Sequence, residues 1–246
     1  MTAAPSPPPD RARDLDLARE NERLEGASPE ERLAFAARLF GADLLFTSSF
    51  GAQSAVLLHL WSVVCRELPV TFIDTGFLFP ETLAYRDRLA ARLGLDVRVL
   101  RPDIENGAFV TRYGTDIQRK DPDFCCGVNK IAPLAALKES ARGWVSGLRR
   151  DQSRTRADVA ILEQDGLLVR VHPIATLTAA DVAAYLARHE LPEHPLVARR
   201  YLSIGCAPCT RAVEDGEDER AGRWAGSAKT ECGLHPSRTS TGPSRG

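Results

Sequence analysis

Five of the six cysteines in this 246-residue chain lie in three short polar stretches. They are Cys125 and Cys126 in DFCCGVNK, Cys206 and Cys209 in GCAPC, and Cys232 in ECGLH. Adjacent cysteines seldom bond to each other, because the ring that such a disulfide closes is strained. The grouping therefore indicates metal binding or thiol chemistry, whereas Cys65, on an apolar helix, is predicted to be a core residue.

The tandem pair and the C-x-x-C pair together offer four soft thiolate ligands, which suit zinc or an iron–sulfur cluster. Zinc sites normally draw both pairs from knuckles with intervening residues, whereas adjacent cysteines can reach different irons of a cubane. We therefore predict one 4Fe-4S cluster per subunit, with zinc and four unrelated buried cysteines as the alternatives. The predicted ligands are Cys125, Cys126, Cys206 and Cys209.

Cys232 is predicted to be a catalytic nucleophile. The thiolate is the reactive form of cysteine, and nearby cations lower the pKa of a thiol. The stretch RAGRWAGSAKTECGLH supplies Arg220, Arg223 and Lys229 close by in sequence. A mobile segment could also carry the thiol from a substrate to a reducing partner. The alternative is an incidental cysteine near the carboxyl end.

Two stretches at predicted strand ends could bind a nucleotide. TSSFGAQSA lies between a strand and a helix, where free amides and the helix dipole favour an anion, and its small residues Ser48, Ser49 and Gly51 permit close approach. In IDTG, Asp74 follows the next strand and could accept hydrogen bonds from ribose or adenine. The alternatives are an ordinary serine-rich turn for the first and a turn cap for Asp74.

Basic residues supply candidate partners for that anion. SGLRRDQSRTR places Arg149, Arg150, Arg154 and Arg156 in a loop after a strand, and a guanidinium suits phosphate or sulfate oxygens. Lys130 follows the tandem cysteines and could offset the charge of a thiolate-bound cluster while facing an anionic substrate. A solvated charge run and a solvated lysine are the plain alternatives.

The elements that must position these residues alternate between helix and strand. ASPEERLAFAARLFG is typical of a helix with a capping box of Ser28 and Glu31, and TAADVAAYLARHE of another with Thr178 and Asp181. Buried strands separate the helices, which predicts an α/β fold with a mostly parallel twisted sheet flanked by helices. The stretch after Asp96 that includes GAFVTRYGTDIQRKD carries no clear signature.

The domain organisation follows from composition. We predict a disordered or loosely ordered extension over 1–27 and an α/β nucleotide-binding core over 28–192. A segment over 193–235, folded over the sheet, carries the C-x-x-C pair and Cys232, and 236–246 is a disordered tail.

Charge and hydropathy limit the classes of partner that are expected for this chain. The formal net charge of −1 argues against nucleic acid, which usually selects a basic protein. No apolar run is long enough for a signal peptide or a membrane span, so a cytoplasmic location without a membrane partner is expected. The composition leaves association into a homo-oligomer open.

Taken together, SSFGAQSA, IDTG, CCGVNK, GLRRDQSRTR, SIGCAPCTR and ECGLH resemble the assimilatory adenylyl-sulfate reductases, the iron–sulfur branch of the adenylyl-sulfate and phosphoadenylyl-sulfate reductase family, over 28–235. The resemblance implies a single domain of the adenine-nucleotide α-hydrolase, or PP-loop, type with a flexible C-terminal catalytic segment. It implies reduction of adenosine 5′-phosphosulfate to sulfite and AMP in sulfate assimilation and cysteine biosynthesis, with thioredoxin as a transient electron donor.

The same resemblance assigns roles to residues. Cys232 would form an S-sulfonate intermediate and the four other cysteines would ligate the cluster. The implied substrate-binding residues are Ser48, Ser49, Gly51, Lys130, Arg149, Arg220 and Arg223.

Three alternatives remain open on sequence grounds. The substrate could be the 3′-phosphorylated nucleotide, or both nucleotides, although typical members specific for it resemble this chain without the cluster cysteines. A PP-loop ATP pyrophosphatase or sulfur transferase acting on RNA is less expected, because SFGAQS has only one of the two glycines of the SGGxDS loop of those enzymes and lacks its aspartate. A non-catalytic iron–sulfur or zinc module would not need Cys232.

Overall fold

Six short strands form the centre of the computed structural model, which describes residues 15–227, 229, 231 and 233–234. They are β1 (Leu44–Phe46), β2 (Val70–Ile73), β3 (Val97–Leu100), β4 (Gly143–Val145), β5 (Leu162–Asp165) and β6 (Leu168–Val171). The order β1-β4-β6-β5 forms one sheet and β2-β3 pair beside it. A parallel bridge between Thr47 and Thr71 joins the two groups into one surface.

The pairing is parallel except at one edge. In register, Leu45 lies opposite Trp144, which lies opposite Arg170 on β6, and β2 pairs in parallel with β3. Only the β5–β6 pair among the described strands is antiparallel. The predicted α/β fold with a mostly parallel sheet is therefore confirmed, because βαβ connections require helices between parallel neighbours.

Helices cover the sheet on both faces. They are α1 (Leu17–Glu25), α2 (Pro29–Phe40), α3 (Ser54–Val64), α4 (Pro80–Leu93), α5 (Asn106–Tyr113), α6 (Ile117–Lys120), α7 (Pro122–Cys126), α8 (Ala132–Ser140) and α9 (Ala179–Arg188). A π-helical turn, Gly127–Ile131, joins α7 to α8. The capping boxes predicted at Ser28 with Glu31 and at Thr178 with Asp181 are both present.

The main core lies between the sheet and the helices α2, α3, α4 and α9. Trp61 and Phe46 pack with ring centroids 4.7 Å apart, and both are fully buried. At Gly143 a Cβ atom would lie 2.8 Å from Leu44 and closer still to the Phe40 ring, so only glycine lets α2 approach β4 this closely. This packing fixes the carboxyl ends of β1 and β4, which carry the loops of the candidate site.

The prediction of a loosely ordered extension over 1–27 is wrong for α1. The side chain of Asn21 exchanges two hydrogen bonds with the backbone of Leu162 on the edge strand β5, at 2.9 and 2.8 Å, and Leu24 is 1% exposed. Pairing with an edge strand therefore orders a helix whose own apolar content is low. Residues 1–14 and 236–246, the rest of the predicted disorder, lie outside the described residues.

Candidate active site

The loop from β1 to α3 forms one wall of the site, as its sequence predicted. Ser48 donates its amide to the carbonyl of Thr71 at 3.0 Å, and Ser54 at the start of α3 bonds back to the carbonyl of Gly51 at 2.7 Å. Between them Phe50 is fully buried with φ +48°, a left-handed conformation that costs a residue with a Cβ roughly 1–2 kcal/mol. The strained turn and the start of α3 border a cavity, and the amino end of a helix favours an anion there.

That space is a cavity of about 250 Å³ at the carboxyl ends of β1 and β4. It brings together seven residues predicted to bind substrate: Ser48, Ser49, Gly51, Lys130, Arg149, Arg220 and Arg223. The loop after β1, the loop after β4 and the C-terminal segment therefore converge, although they are far apart in sequence. Arg156 also lines the cavity, and five cationic side chains around one cavity indicate an anionic ligand.

Arg149 is an informative residue of this cavity, because one of its buried donor atoms lacks a hydrogen-bond partner among the described residues. Its side chain is 1% exposed; Nε donates to Asp151 at 2.9 Å and Nη1 donates to Gln53. Nη2 is buried and has no hydrogen-bond partner among the described residues, and the Glu219 carboxylate is 3.9 Å away. A buried donor left without an acceptor costs about 1–3 kcal/mol, so its position on the cavity wall suits a ligand oxygen.

The other arginines of the 149–156 cluster make protein contacts. Arg150 pairs with Glu25 and donates to the carbonyl of Val159, and Arg154 is exposed. Arg156 lines the cavity, yet its Nε and Nη2 both donate to Glu231 at 2.7 Å. The four arginines look alike in sequence, but in the structure only Arg149 among them lines the cavity with a buried donor that is available to a ligand.

Glu231 fastens the C-terminal segment to the cavity rim. Its carboxylate, 9% exposed, accepts from Arg156 and, at 3.1 Å, from Arg220. Leu234 lines the same cavity and packs beside Trp144 and its neighbours. Cys232, the predicted nucleophile, lies outside the described residues.

The four predicted cluster ligands line a second, smaller cavity. Cys125 and Cys126 end α7, and Cys206 and Cys209 flank a single 3₁₀ turn. This turn is held to the β2–α4 loop, since Ala207 donates to the carbonyl of Phe77 at 2.7 Å. The two cysteine pairs, 80 residues apart in sequence, therefore meet as predicted.

Burial is the largest influence on the pKa of two of these thiols, Cys125 and Cys209. Burial and the neighbouring cysteines raise the pKa of Cys125 to about 12, and burial and Cys206 raise that of Cys209 to about 11, while Lys130 and Arg223 act in the opposite direction on Cys209. Four thiolates in this cavity thus need a strongly cationic partner. No three His, Cys, Asp or Glu side chains within the described part of the chain are arranged around a single metal ion.

Lys130 and Arg223 line both cavities. The π-helical turn after Cys126 presents Lys130, and π-helical turns are frequent at functional sites. Arg223 lies over the Trp224 ring at 4.4 Å and packs against Gly205, where any Cβ would come within 3.0 Å of the guanidinium. Its Nε has no hydrogen-bond partner within the part of the chain that the structure describes. These two cations therefore form the wall that the two cavities share.

Asp74 does not line either cavity, unlike the other predicted substrate-binding residues. Its Oδ1 accepts from the amide of Gly76 at 3.0 Å and its Oδ2 pairs with Arg101 at 3.2 Å. The structure thus places it as a turn cap, the alternative that its sequence position also allowed, because the short side chain of aspartate readily bonds to an amide two residues on.

The cavity residues that were not predicted include three polar ones, Gln53, Ser146 and Gln152. Gln53 binds Arg149 and Glu219, and Gln152 accepts from Arg156. Neutral side chains carry no charge pattern in sequence, so only their places in two predicted ligand loops could have pointed to them.

Comparison with known proteins agrees with this geometry. The family model described as phosphoadenosine phosphosulfate reductase domain matches residues 43–212. The chain is 48% identical over 188 residues to the adenosine 5′-phosphosulfate reductase of Chelativorans sp., covering 76% of this chain and 77% of that one. It is 41% identical over 224 residues to the phosphoadenosine 5′-phosphosulfate reductase of Gloeobacter violaceus, covering 89% and 92%.

Solved structures support the fold. A phosphoadenylyl-sulfate reductase from Candida auris superimposes with a TM-score of 0.69 at 24% identity, covering 83% of this chain and 98% of that one. Candida glabrata FMN adenylyltransferase in complex with ATP matches with a TM-score of 0.52 at 17% identity, covering 77% and 62%. None of the helices described here is long and apolar enough to cross a membrane. The resemblance predicted from the motifs is confirmed, and the chain belongs to the phosphoadenosine phosphosulfate reductase domain family.

Proposed function

We propose that this protein reduces adenosine 5′-phosphosulfate to sulfite and AMP in sulfate assimilation, with thioredoxin as the electron donor. The observation that carries the proposal is the buried Nη2 of Arg149, a cationic donor without a hydrogen-bond partner among the described residues, on the wall of a cavity with four further cationic side chains. The names of relatives at 48% and 47% identity supply the substrate.

The cavity residues bind and orient the nucleotide. The amides of the β1–α3 loop, with Ser48, Ser49 and Gly51, suit the 5′-phosphate. Lys130, Arg149, Arg220 and Arg223 stabilise the negative charge that grows on the bridging oxygen as the sulfur–oxygen bond breaks.

Cys232 acts as the nucleophile in this proposal. Its thiolate attacks the sulfuryl sulfur, an S–S bond forms, and AMP leaves with the bridging oxygen as a phosphate dianion. The first thiolate of thioredoxin then attacks the Cys232 sulfur and releases sulfite. The second thiol of thioredoxin resolves the mixed disulfide, so that two electrons pass from a dithiol to the sulfur of sulfate. Neither step requires a redox change at a metal.

Cys125, Cys126, Cys206 and Cys209 would hold a 4Fe-4S cluster. The donor set fits, because four soft sulfur ligands border one cavity, where burial raises the pKa of two of them, Cys125 and Cys209. Such a group would supply positive iron charge, which offsets the negative charge of the thiolates. It would also supply an electrostatic field beside Lys130. Buried, unbonded cysteines also suit a reducing compartment, and we propose a cytoplasmic location.

The 3′-phosphorylated nucleotide is the alternative substrate, since one relative at 41% identity bears that name. Turnover of the two nucleotides under the same conditions distinguishes them. We expect a higher kcat/KM for the nucleotide without the 3′-phosphate, and the reverse preference would replace our choice.

Incubation with adenosine 5′-phosphosulfate in the absence of any reductant tests the mechanism. Mass spectrometry of the anaerobically purified protein should find a sulfonate adduct on the peptide that contains Cys232, and Cys232→Ser should abolish it. The matched control is Cys65→Ala, because Cys65 is 4% exposed and burial raises its pKa to about 12. An unmodified Cys232 in protein with a full complement of iron would contradict the mechanism.

A further inference from the structure

A buried hydrogen-bonded chain runs from the edge of the sheet to the nucleotide cavity. Ser146 follows β4, His172 follows β6, and Glu163 lies on β5. Ser146 Oγ is 2.8 Å from His172 Nδ1, and His172 Nε2 is 3.3 Å from Glu163 Oε2. Ser146 lines the cavity, His172 is fully buried, and the Glu163 side chain is 20% exposed.

The direction of the hydrogen bonds in this chain follows from the carboxylate. Glu163 keeps its charge: burial raises its pKa, but the hydrogen bond with His172 and the contacts with the backbone of Ala160 and with Arg170 act against burial, and the net effect lowers it. A carboxylate only accepts, so His172 Nε2 must carry a proton and donate it. Burial lowers the pKa of His172, so the ring is neutral and Nδ1 is a bare acceptor.

Ser146 must then donate its single hydroxyl proton to Nδ1. The lone pairs of Oγ are what remains for a ligand, so Ser146 can accept a hydrogen bond but has no proton to give. Ordinarily a serine hydroxyl rotates to suit either a donor or an acceptor. Here the chain from Glu163 removes that freedom.

We propose that Ser146 is a specificity-determining residue that accepts a hydrogen bond from an uncharged donor of the bound nucleotide, with His172 and Glu163 as positioning residues that set its polarity. This inference rests on the proposed function, since it takes the cavity ligand to be an adenine nucleotide. Such a nucleotide offers the adenine amino group and the two ribose hydroxyls as donors. Its phosphates and ring nitrogens only accept, and Ser146 disfavours them.

The consequence for substrate choice depends on the donor. A 3′-hydroxyl would bond to Ser146, whereas a 3′-phosphate would bring acceptor oxygens against lone pairs. In that case the chain itself would disfavour the phosphorylated nucleotide, because a buried site built for a donor rejects a group that cannot donate.

Calorimetric titration with four nucleotides tests the proposal. The probes are AMP, IMP (amino group replaced by a carbonyl), 2′-deoxy-AMP and 3′-deoxy-AMP. We expect Ser146→Ala to weaken the binding of AMP by about tenfold, the usual effect of losing one buried hydrogen bond. The analogue that lacks the group donating to Ser146 should bind wild type and Ser146→Ala with equal affinity. Which analogue this is identifies the donor.

Glu163→Gln provides the second variant, with the same shape and a partly exposed side chain. The amide can donate to Nε2, so His172 can carry its proton on Nδ1 and Ser146 recovers its own proton. Discrimination between AMP and that analogue should fall several-fold, with the melting temperature near that of Glu67→Gln, an exposed control beyond the far end of α3.

An equal loss for AMP and all three analogues in Ser146→Ala, or no loss for AMP, would overturn this inference and leave the proposed function intact. Unchanged discrimination in folded Glu163→Gln would overturn the positioning roles. Failure of wild-type protein to bind AMP at all would overturn the proposed function, and this inference with it.

Discussion

Arg149→Lys is the substitution that most directly tests whether the cavity binds an anion through this side chain. Lysine keeps the positive charge but lacks the planar fork with which Arg149 reaches Asp151 and Gln53 while its Nη2 remains for a ligand. The ammonium group cannot reproduce these three directions at once. We therefore expect the variant to fold but to bind the anion without this hydrogen bond.

The magnitude follows from the burial and charge of the donor. Nη2 is buried, so a hydrogen bond from it to a phosphate or sulfate oxygen is charge-assisted and contributes about 1.5–3 kcal/mol. The dissociation constant for AMP should rise by about 10- to 150-fold. Adenosine, which lacks the phosphate, should bind wild type and variant within about threefold, because Arg149 then has no anion to bind.

Arg150→Lys is the matched control. Arg150 is the next residue in sequence, but it pairs with Glu25 and the carbonyl of Val159 and does not line the cavity. It should leave AMP affinity unchanged. Equal AMP affinity for Arg149→Lys and wild type, or an equal loss for adenosine and AMP, would refute the assignment of Nη2 to the anion. Thermal melts of all three proteins separate binding from unfolding.

Three further predictions concern stability and positioning. Glu231→Gln and Arg156→Gln should each destabilise the protein in denaturant titrations. Their double-mutant cycle should give a coupling energy above about 1 kcal/mol, because the two paired side chains are only 9% and 8% exposed. Additive changes in the free energy of unfolding would argue against the ion pair. Gly205→Ala should displace the Arg223 guanidinium and weaken the binding of AMP by about tenfold. Gly107→Ala should leave the affinity for AMP unchanged, because the space around Gly107 is open. Equal AMP affinities for the two variants would show that Arg223 does not contact the ligand. Burial lowers the pKa of His194 from 6.5 to about 4, so on acidification the unfolded chain takes up the proton before the folded chain does. The free energy of unfolding should therefore fall as the pH drops from 6.5 toward 4, by up to about 1.4 kcal/mol per pH unit. His194→Gln should show a shallower dependence on pH, and identical slopes for variant and wild type would exclude this histidine as the cause.

The sequence predicted well those features that depend on local chemistry. Both capping boxes form because serine or threonine and an acidic residue three positions on satisfy each other's amides without help from the fold. The β1–α3 loop and the two cysteine pairs were recognisable because their residue types restrict what the backbone and the sulfur atoms can do. These features carry most of the candidate site.

Features that depend on tertiary pairing were not predictable. Strand β5 turns antiparallel against β6, and α1 packs on it through Asn21, a polar residue with no periodic signal. Asp74 satisfied two hypotheses equally well until the positions of Gly76 and Arg101 decided between them. The link from Ser146 to Glu163 joins residues on or just after three strands, so strand pairing brings them together and no local sequence pattern reveals it.

The partition formed by Lys130 and Arg223 has a thermodynamic consequence. A cation shared by two compartments responds to the charge in each, so filling the cysteine compartment must change the free energy of binding in the nucleotide compartment. Linkage makes the effect reciprocal: whatever factor loading of the proposed cluster applies to nucleotide affinity, the nucleotide applies to the retention of that cluster. If the cysteines hold the proposed cluster, substrate analogues should alter the rate at which a chelator removes its iron, to an extent set by two side chains.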